Sequence, residues 1–448
     1  MNVHFIAIGG SAMHNLAIAL KQKGYQVSGS DDEIFEPSKG RLQKHALLPK
    51  SIGWNKQNIH KNLDAVILGM HARADNPELA EAKALGITIY SYPEFLYEQS
   101  KDKTRVVIAG SHGKTSITAM ILHALHYHQK DCDFMVGAQL EGFETMVRLT
   151  NENDFMLLEG DEYLSSPIDM RPKFLHYKPN IALLSGIAWD HINVFPTFED
   201  YRKQFDLLLD SIEPGGALVY NELDEEVKRT VERTANPIKK FAYGLPNYFL
   251  QKNQVFLETE EGAVPLAIFG KHNMNNLEGA RWICNQMGLT DAEFYEAIPS
   301  FTGAAKRLEK INDVPYTAFR DFAHAPSKVK ATVNATKEGF ADAPLLACLE
   351  LHTYSSLNKD FIKQYKQSMQ AANTAIVYFN PDVLKHKQMP KLSEAEVKEA
   401  FAKPDLLVCT NTQDFLKKIQ ENISVESVLL LMSSGNFNGI DWQSELNS

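Results

Sequence analysis

Seven consecutive residues, Gly110-Ser111-His112-Gly113-Lys114-Thr115-Ser116, carry the groups that handle a polyphosphate. Four apolar residues, Val106 to Ala109, precede them as a buried strand, and Ile117 to Tyr127 follow with apolar residues at helical spacing. In a strand–glycine turn–helix of this kind, backbone N–H groups at the helix start face an anion. Lys114 can reach the outer phosphates and the Thr115 hydroxyl can hold magnesium. The general pattern wants a glycine five residues before Gly113, where Ile108 stands, so the match is partial. The competing reading is a tight turn with a solvent lysine. Two further strand ends carry acids: Phe155 to Leu158 runs into Glu159-Gly160-Asp161-Glu162, and Ile181 to Leu184 precedes Trp189-Asp190-His191. A carboxylate at a strand end beside a Gly-Lys-Thr loop is a magnesium partner, whereas alone it is a solvated loop. Asn273 and Asn276, one turn apart, can offer amides to a nucleobase or simply cap a helix.

A second glycine turn lies at the start of the chain. Val3 to Ile8 reads as a strand, followed by Gly9-Gly10-Ser11-Ala12-Met13 and a helix to Lys23, with Asp31 after a second strand. This is the outline of a dinucleotide fingerprint, but Ala7 and Ala12 stand at two of its glycine positions. A diphosphate at this turn is therefore expected, and a redox dinucleotide is not. His71 and Arg73 follow the strand Ala65 to Leu68, where loops of a parallel sheet collect ligands. Solvated loop residues are the equal alternative.

The elements that must hold these groups alternate strand and helix throughout, which predicts an α/β protein. Three domains are expected: a Rossmann-like N-terminal domain over residues 1–101, a central P-loop ATPase-type domain with a mainly parallel sheet over 102–311, and a Rossmann-like C-terminal domain over 312–448. In the last, His352 and Tyr354 follow one strand and Ser433 to Asn436 another, so both loops could meet a substrate. At 448 residues, 44% hydrophobic and 23% charged, the chain has the composition of an ordinary globular protein of two or three domains. Its net charge of -10 argues against non-specific nucleic-acid binding. The four cysteines lie far apart, without metal or disulfide spacing, and no apolar run approaches membrane-spanning length. A cytoplasmic protein without nucleic-acid or membrane partners, monomeric or weakly dimeric, is expected.

The ordered set of Gly110 to Thr115, Glu159-Gly-Asp-Glu162, Asp190-His191, His272-Asn273 with Asn276, Lys306-Arg307-Leu308-Glu309 and Asp321-Phe-Ala-His324-Ala-Pro326 resembles the ATP-dependent Mur ligases of bacterial cell-wall synthesis. The resemblance covers nearly the whole chain. Ala7 and Ala12 replace family glycines, and Phe205 aligns with a lysine that several members carbamylate.

The resemblance implies an ATP-dependent carboxylate–amine ligase with an acyl-phosphate intermediate and two cofactors, ATP and magnesium. Lys114, Glu159 and His191 would be catalytic, with Thr115, Glu159 and His191 holding metal. The ATP site would take Gly110 to Ser116, Asn273, Asn276, Arg307, Asp321 and His324. Gly9, Gly10, Ser11, Ala12, Met13, Asp31, His71 and Arg73 would bind UDP-N-acetylmuramate, and His352, Tyr354, Ser433 and Asn436 the amine. Tyr163, Arg171 to Pro179, Asp190 to Pro196 and Met432 to Ile440 resemble the branch whose amine is the murein tripeptide L-alanyl-γ-D-glutamyl-meso-diaminopimelate. A sister branch takes L-alanine. Two other classes stay open: a nicotinamide-dependent dehydrogenase, which leaves everything after residue 101 unexplained, and a nucleotide-regulated binding protein without an amide product.

Overall fold

The computed structural model describes residues 1–140, 142–251, 254–304 and 307–446; Lys306 of the run quoted above lies outside them. The chain divides into two compact units, one of Met1–Ile187, Arg202–Tyr243 and Gly279–Asp291, the other of Ala188–Tyr201, Gly244–Glu278 and Ala292–Ser448.

The first unit holds two open sheets. Strands β1 (Asn2–Ile6), β2 (Gln26–Ser30), β3 (Ala65–Leu68) and β4 (Thr88–Ser91) form a parallel sheet in the order β2-β1-β3-β4. The expected strand to Ile8 ends two residues early. Ala7 turns to φ +70, and the N–H groups of Ala7 and Ile8 both donate to Ser30 O, which peels the chain away from the sheet. Helix α1 (Ser11–Gln22) then buries Met13, Leu16, Ala17 and Leu20. After it come α2 (Ser38–Lys44), α3 (Pro77–Ala84) and α4 (Tyr92–Ser100). The start of α4 is set by a reciprocal cap: the Ser91 hydroxyl accepts from Glu94 N–H, and Glu94 Oε2 accepts from Ser91 N–H at 2.8 Å.

The larger sheet begins with β5 (Thr104–Ala109), followed by helix α5 (Lys114–Tyr127), β6 (Asp133–Met135), β7 (Val147–Arg148) and β8 (Phe155–Gly160). A short antiparallel hairpin, β9 (Leu164–Ser166) and β10 (Asp169–Pro172), precedes β11 (Ile181–Leu184), β12 (Ala217–Asn221) and β13 (Lys239–Tyr243). The order is β13-β12-β11-β5-β8-β6-β7, parallel except for the last pair. Val106, Val107 and Ile108 are fully buried, as a strand covered on both faces requires.

In the second unit, β14 (Tyr248–Gln251), β15 (Gln254–Thr259) and β16 (Gly262–Leu266) make a small antiparallel sheet. Strands β17 (Glu309–Asn312), β18 (Thr317–Asp321), β19 (Leu345–Glu350), β20 (Thr374–Tyr378), β21 (Leu407–Cys409) and β22 (Val428–Met432) form a third sheet. Its order is β17-β18-β22-β19-β20-β21, parallel but for β17. Separate apolar clusters cover its two faces, one around Val329, Val333 and Tyr365, the other around Phe415 and Phe437. The three large sheets take their strands from residues 2–91, 104–243 and 309–432. Among the described residues no helix is long and apolar enough to cross a membrane, and all four cysteines are buried thiols.

Candidate active site

The glycine loop of residues 110–116 leaves the C-terminal end of β5, between β11 and β8. Its shape needs glycine at two places, Gly110 at φ +131 and Gly113 at φ +83. A Cβ at Gly110 would also fall 2.3 Å from Ser185 Oγ, at the end of β11. Ser111 N–H donates to Gly186 O at 2.9 Å, and the Ser185 hydroxyl donates to His112 O, so the neighbouring strand end braces the loop. Helix α5 starts at Lys114, directly after the turn, with Gly113 as its N-cap and no side-chain cap. A helix start of this kind points backbone N–H groups along the helix axis, the geometry an anion requires.

Lys114 folds back over this loop. Its Nζ donates to Gly110 O and to Glu162 Oε2, both at 2.6 Å. Burial opposes the charge on Lys114, but Glu162, Asp161 and Glu159 outweigh it and raise its pKa above the ordinary lysine value. Glu159 ends β8, beside β5, and its Oε2 accepts from Gly137 N–H at 2.7 Å. A Cβ at residue 137 would sit 2.2 Å from that oxygen, so only glycine lets the backbone approach the carboxylate. Thr115 is buried and Ser116 half-buried on the first turn of α5. A hydroxyl and a carboxylate, both hard oxygen donors, suit magnesium.

At the first sheet, Gly9 N–H donates to Asp31 Oδ2 at 2.7 Å and Asp32 N–H to Oδ1 at 3.0 Å. Asp31 therefore closes the glycine turn. Ser11 and Ala12 are exposed at its rim, Met13 points into the core, and His71 and Arg73 stand exposed on the loop after β3.

The second unit carries the remaining candidates, several of them at the ends of β18, β22 and β19. Asp321 is buried. Its Oδ2 accepts from Leu308 N–H and its Oδ1 from Ala323 N–H, each at 2.6 Å, which ties the loop carrying Arg307 to the sheet. The Arg307 guanidinium lies 4.7 Å from the Phe322 ring centroid. Asp190 is buried with Lys328 Nζ 3.7 Å away, and its Oδ1 accepts from His191 N–H at 2.8 Å. Burial resists ionisation of Asp190, but Lys328, His191 and His324 overcome it and lower its pKa to about 2. His191 holds a left-handed backbone, φ +56, a strained conformation for a residue with a Cβ. Burial, then Lys328, lowers the His324 pKa to about 4 against the pull of Asp190, and its Nδ1 pairs with Phe322 O at 2.8 Å. On the helix Lys271–Gln286, Asn273 Nδ2 donates to Phe269 O at 3.0 Å, so one amide donor is spent on the segment just before the helix, and Asn276 is buried one turn on.

The two loops expected to meet the amine are brought together by a residue outside the candidate list. Glu350, buried at the end of β19, accepts from the Ser433 hydroxyl and from Phe437 N–H at 2.8 Å, and lies 3.8 Å from His352 Nδ1. Ser433 N–H donates to Asp321 O at 3.0 Å, joining the β22 loop to β18. Asn436 Oδ1 accepts from Gly439 N–H, and Tyr354 is 44% exposed with Lys387 Nζ 4.4 Å from its ring centroid. Glu350 had a signal in the chain: it is an acid closing an apolar strand, as Glu159 is. Lys328 and Gly137 had none.

A doubly wound sheet with a lysine-bearing glycine loop and strand-end acids defines an α/β enzyme that handles nucleotide phosphates. The chain belongs to the Mur ligase family: residues 2–104 match the model described as Mur ligase family, catalytic domain, and 108–283 the Mur ligase middle domain. It is an ATP-dependent amide ligase of a family that builds peptidoglycan. A UDP-N-acetylmuramate–L-alanine ligase from Sulfurihydrogenibium sp. is 30% identical over 84% of this chain and 82% of its own. Among solved structures, a murein peptide ligase from Psychrobacter arcticus superposes with TM-score 0.69 at 23% identity, over 100% of this chain and 98% of its own. A UDP-N-acetylmuramate–alanine ligase from Thermotoga maritima gives 0.71 at 20% identity over the same shares.

Proposed function

We propose that this ligase joins the lactyl carboxylate of UDP-N-acetylmuramate to the amine of L-alanyl-γ-D-glutamyl-meso-diaminopimelate in peptidoglycan recycling. A carboxylate is a poor acylating agent, so ATP supplies the leaving group. A carboxylate oxygen attacks the γ-phosphorus, the bond to the β–γ bridging oxygen breaks, and ADP departs. The amine nitrogen then attacks the acyl carbon, inorganic phosphate leaves, and the nitrogen gives up its proton.

The observation that carries the ligase chemistry is Lys114 on the phosphate loop, 2.6 Å from Glu162 and raised in pKa. An incoming polyphosphate replaces Glu162 as its partner, and the first transfer is then a matter of positioning and charge neutralisation. Magnesium supplies further charge neutralisation at the phosphates when bound, and Thr115 and Glu159 would hold it; His191 would help hold a second metal ion. Gly9, Gly10 and the α1 N-terminus would receive the UDP diphosphate in segment 1–101. Segment 102–311 would carry the nucleotide loop, and the Glu350–Ser433 loops of segment 312–448 would receive the amine.

What supports the tripeptide is the likeness of residues 171–179 and 432–440 to the recycling branch. A second reading, L-alanine as the amine, is supported by the relative from Sulfurihydrogenibium, whose name carries that substrate. A panel of L-alanine, L-alanyl-D-glutamate and the tripeptide, assayed with ATP and UDP-N-acetylmuramate, separates them. The tripeptide is expected to give the higher kcat/KM, because polar groups built for its carboxylates would be left unpaired by alanine. Equal or higher kcat/KM for L-alanine assigns the chain to alanine addition. Phosphate release without any amide product would overturn the ligase chemistry itself.

A further inference from the structure

The run Arg171 to Pro179, which the ligase chemistry leaves without a role, contributes to a cluster with Glu94 and Asp169. His176, on the single helical turn Lys173–His176 after β10, is 92% buried (8% exposed). Its Nε2 makes no hydrogen bond, although Asp169 Oδ2 lies only 3.3 Å away. Its Nδ1 is 3.9 Å from Glu94 Oε1, on the first turn of α4. One ligand atom from each of Glu94, Asp169 and His176 can be chosen so that all lie within 4.8 Å of one another.

Two ligands of one tetrahedral ion, bonded at about 2.0–2.1 Å, stand about 3.3 Å apart without pointing hydrogens at each other. The His176–Asp169 pair has that spacing and lacks hydrogen-bond geometry. Glu94 is pre-oriented, because its Oε2 is fixed by Ser91 N–H in the helix cap and its Oε1 is turned to the cluster. The cation now beside the carboxylates is Arg171. Its Nη2 donates to Asp169 Oδ2 at 2.7 Å, its Nε to Oδ1 at 3.0 Å, and it lies 3.6 Å from Glu94 Oε1. The Arg171 side chain is 62% exposed and can swing into water. The charge balance is thus provided by a removable group.

We propose that Glu94, Asp169 and His176 form a binding site for a divalent transition-metal ion of zinc's ligand preference, with Arg171 as its tethered competitor. One nitrogen and two carboxylate oxygens suit zinc, with water completing the coordination, better than magnesium, which demands oxygen. Bound there, the ion joins α4 to the β9–β10 hairpin within the first unit.

The test is calorimetric titration of metal-free, full-length protein with zinc chloride, without nucleotide. One site per chain is expected, with a thermal midpoint that rises with zinc concentration. His176→Ala and Asp169→Asn should each weaken it at least tenfold; using both guards against one variant failing to fold. Arg171→Ala should tighten it, and Glu159→Gln should leave it unchanged, which separates this site from the one proposed for magnesium. No zinc binding, binding that survives both His176→Ala and Asp169→Asn, or binding lost in Arg171→Ala would each overturn the assignment.

Discussion

Lys114→Met separates what this lysine does for the fold from what it does for the reaction. The ammonium lies 2.6 Å from the Glu162 carboxylate, whose side chain is 1% exposed, while that of Lys114 is 17% exposed. Removing one partner of a buried ion pair costs about 3–5 kcal/mol, since the remaining charge keeps its desolvation penalty and loses its attraction. The solvent-facing edge of Lys114 puts this case at the lower end, about 3 kcal/mol. A loss of 1 kcal/mol moves the midpoint of a unit of 150–250 residues by about 2–4 °C, so Lys114→Met should lower Tm by about 6 °C or more. Lys114→Met/Glu162→Gln removes both charges and should recover most of that loss, with a coupling of about 2 kcal/mol in the double-mutant cycle. Turnover should not recover. Both variants lack a cation for the γ-phosphate, and loss of such a group costs on the order of 10³ in rate. Scanning calorimetry gives the first quantity, and ADP release coupled to UDP-N-acetylmuramate and amine the second. A wild-type Tm in Lys114→Met, or near-normal turnover in the double variant, would refute the reasoning.

Two further outcomes follow from the geometry. Gly137→Ala should cut turnover at least tenfold and raise the magnesium needed for half-maximal rate, because its Cβ would displace Glu159 Oε2 from 2.2 Å; unchanged magnesium dependence would sink the role given to Glu159. His324 titrates at about 4 when folded against about 6.5 unfolded, so below 6.5 the unfolded chain takes up the proton first. Its contribution is complete above pH 6.5 and lost as pH falls to about 4, by about 3 kcal/mol at most. Asp190, with a pKa of about 2, stays ionised across that window. Urea midpoints at pH 7 and 4.5 should therefore converge in His324→Gln relative to the native chain, and equal pH dependence in the two proteins would count against a ring held neutral in the fold.

The strand–glycine turn–helix of residues 104–127 was legible in the sequence because its parts are contiguous. Local backbone geometry is determined by local residue types, and Gly110, Gly113 and Lys114 carry it within five positions. The α/β class was legible for the same reason, since apolar periodicity is a local property. The end of β1 was not: Ala7 leaves the sheet because two N–H groups find Ser30 O, a partner 23 residues away. Partnership across the sheets was decided by tertiary structure alone. Glu159 meets Gly137 because β8 lies beside β6, and Glu350 meets Ser433 because β19 pairs with β22, 83 residues on. Lys328, Glu94 and His176 are ordinary polar residues in the chain. Burial and strand order set which charge each one faces, and neither can be read from the spacing of residues along the chain.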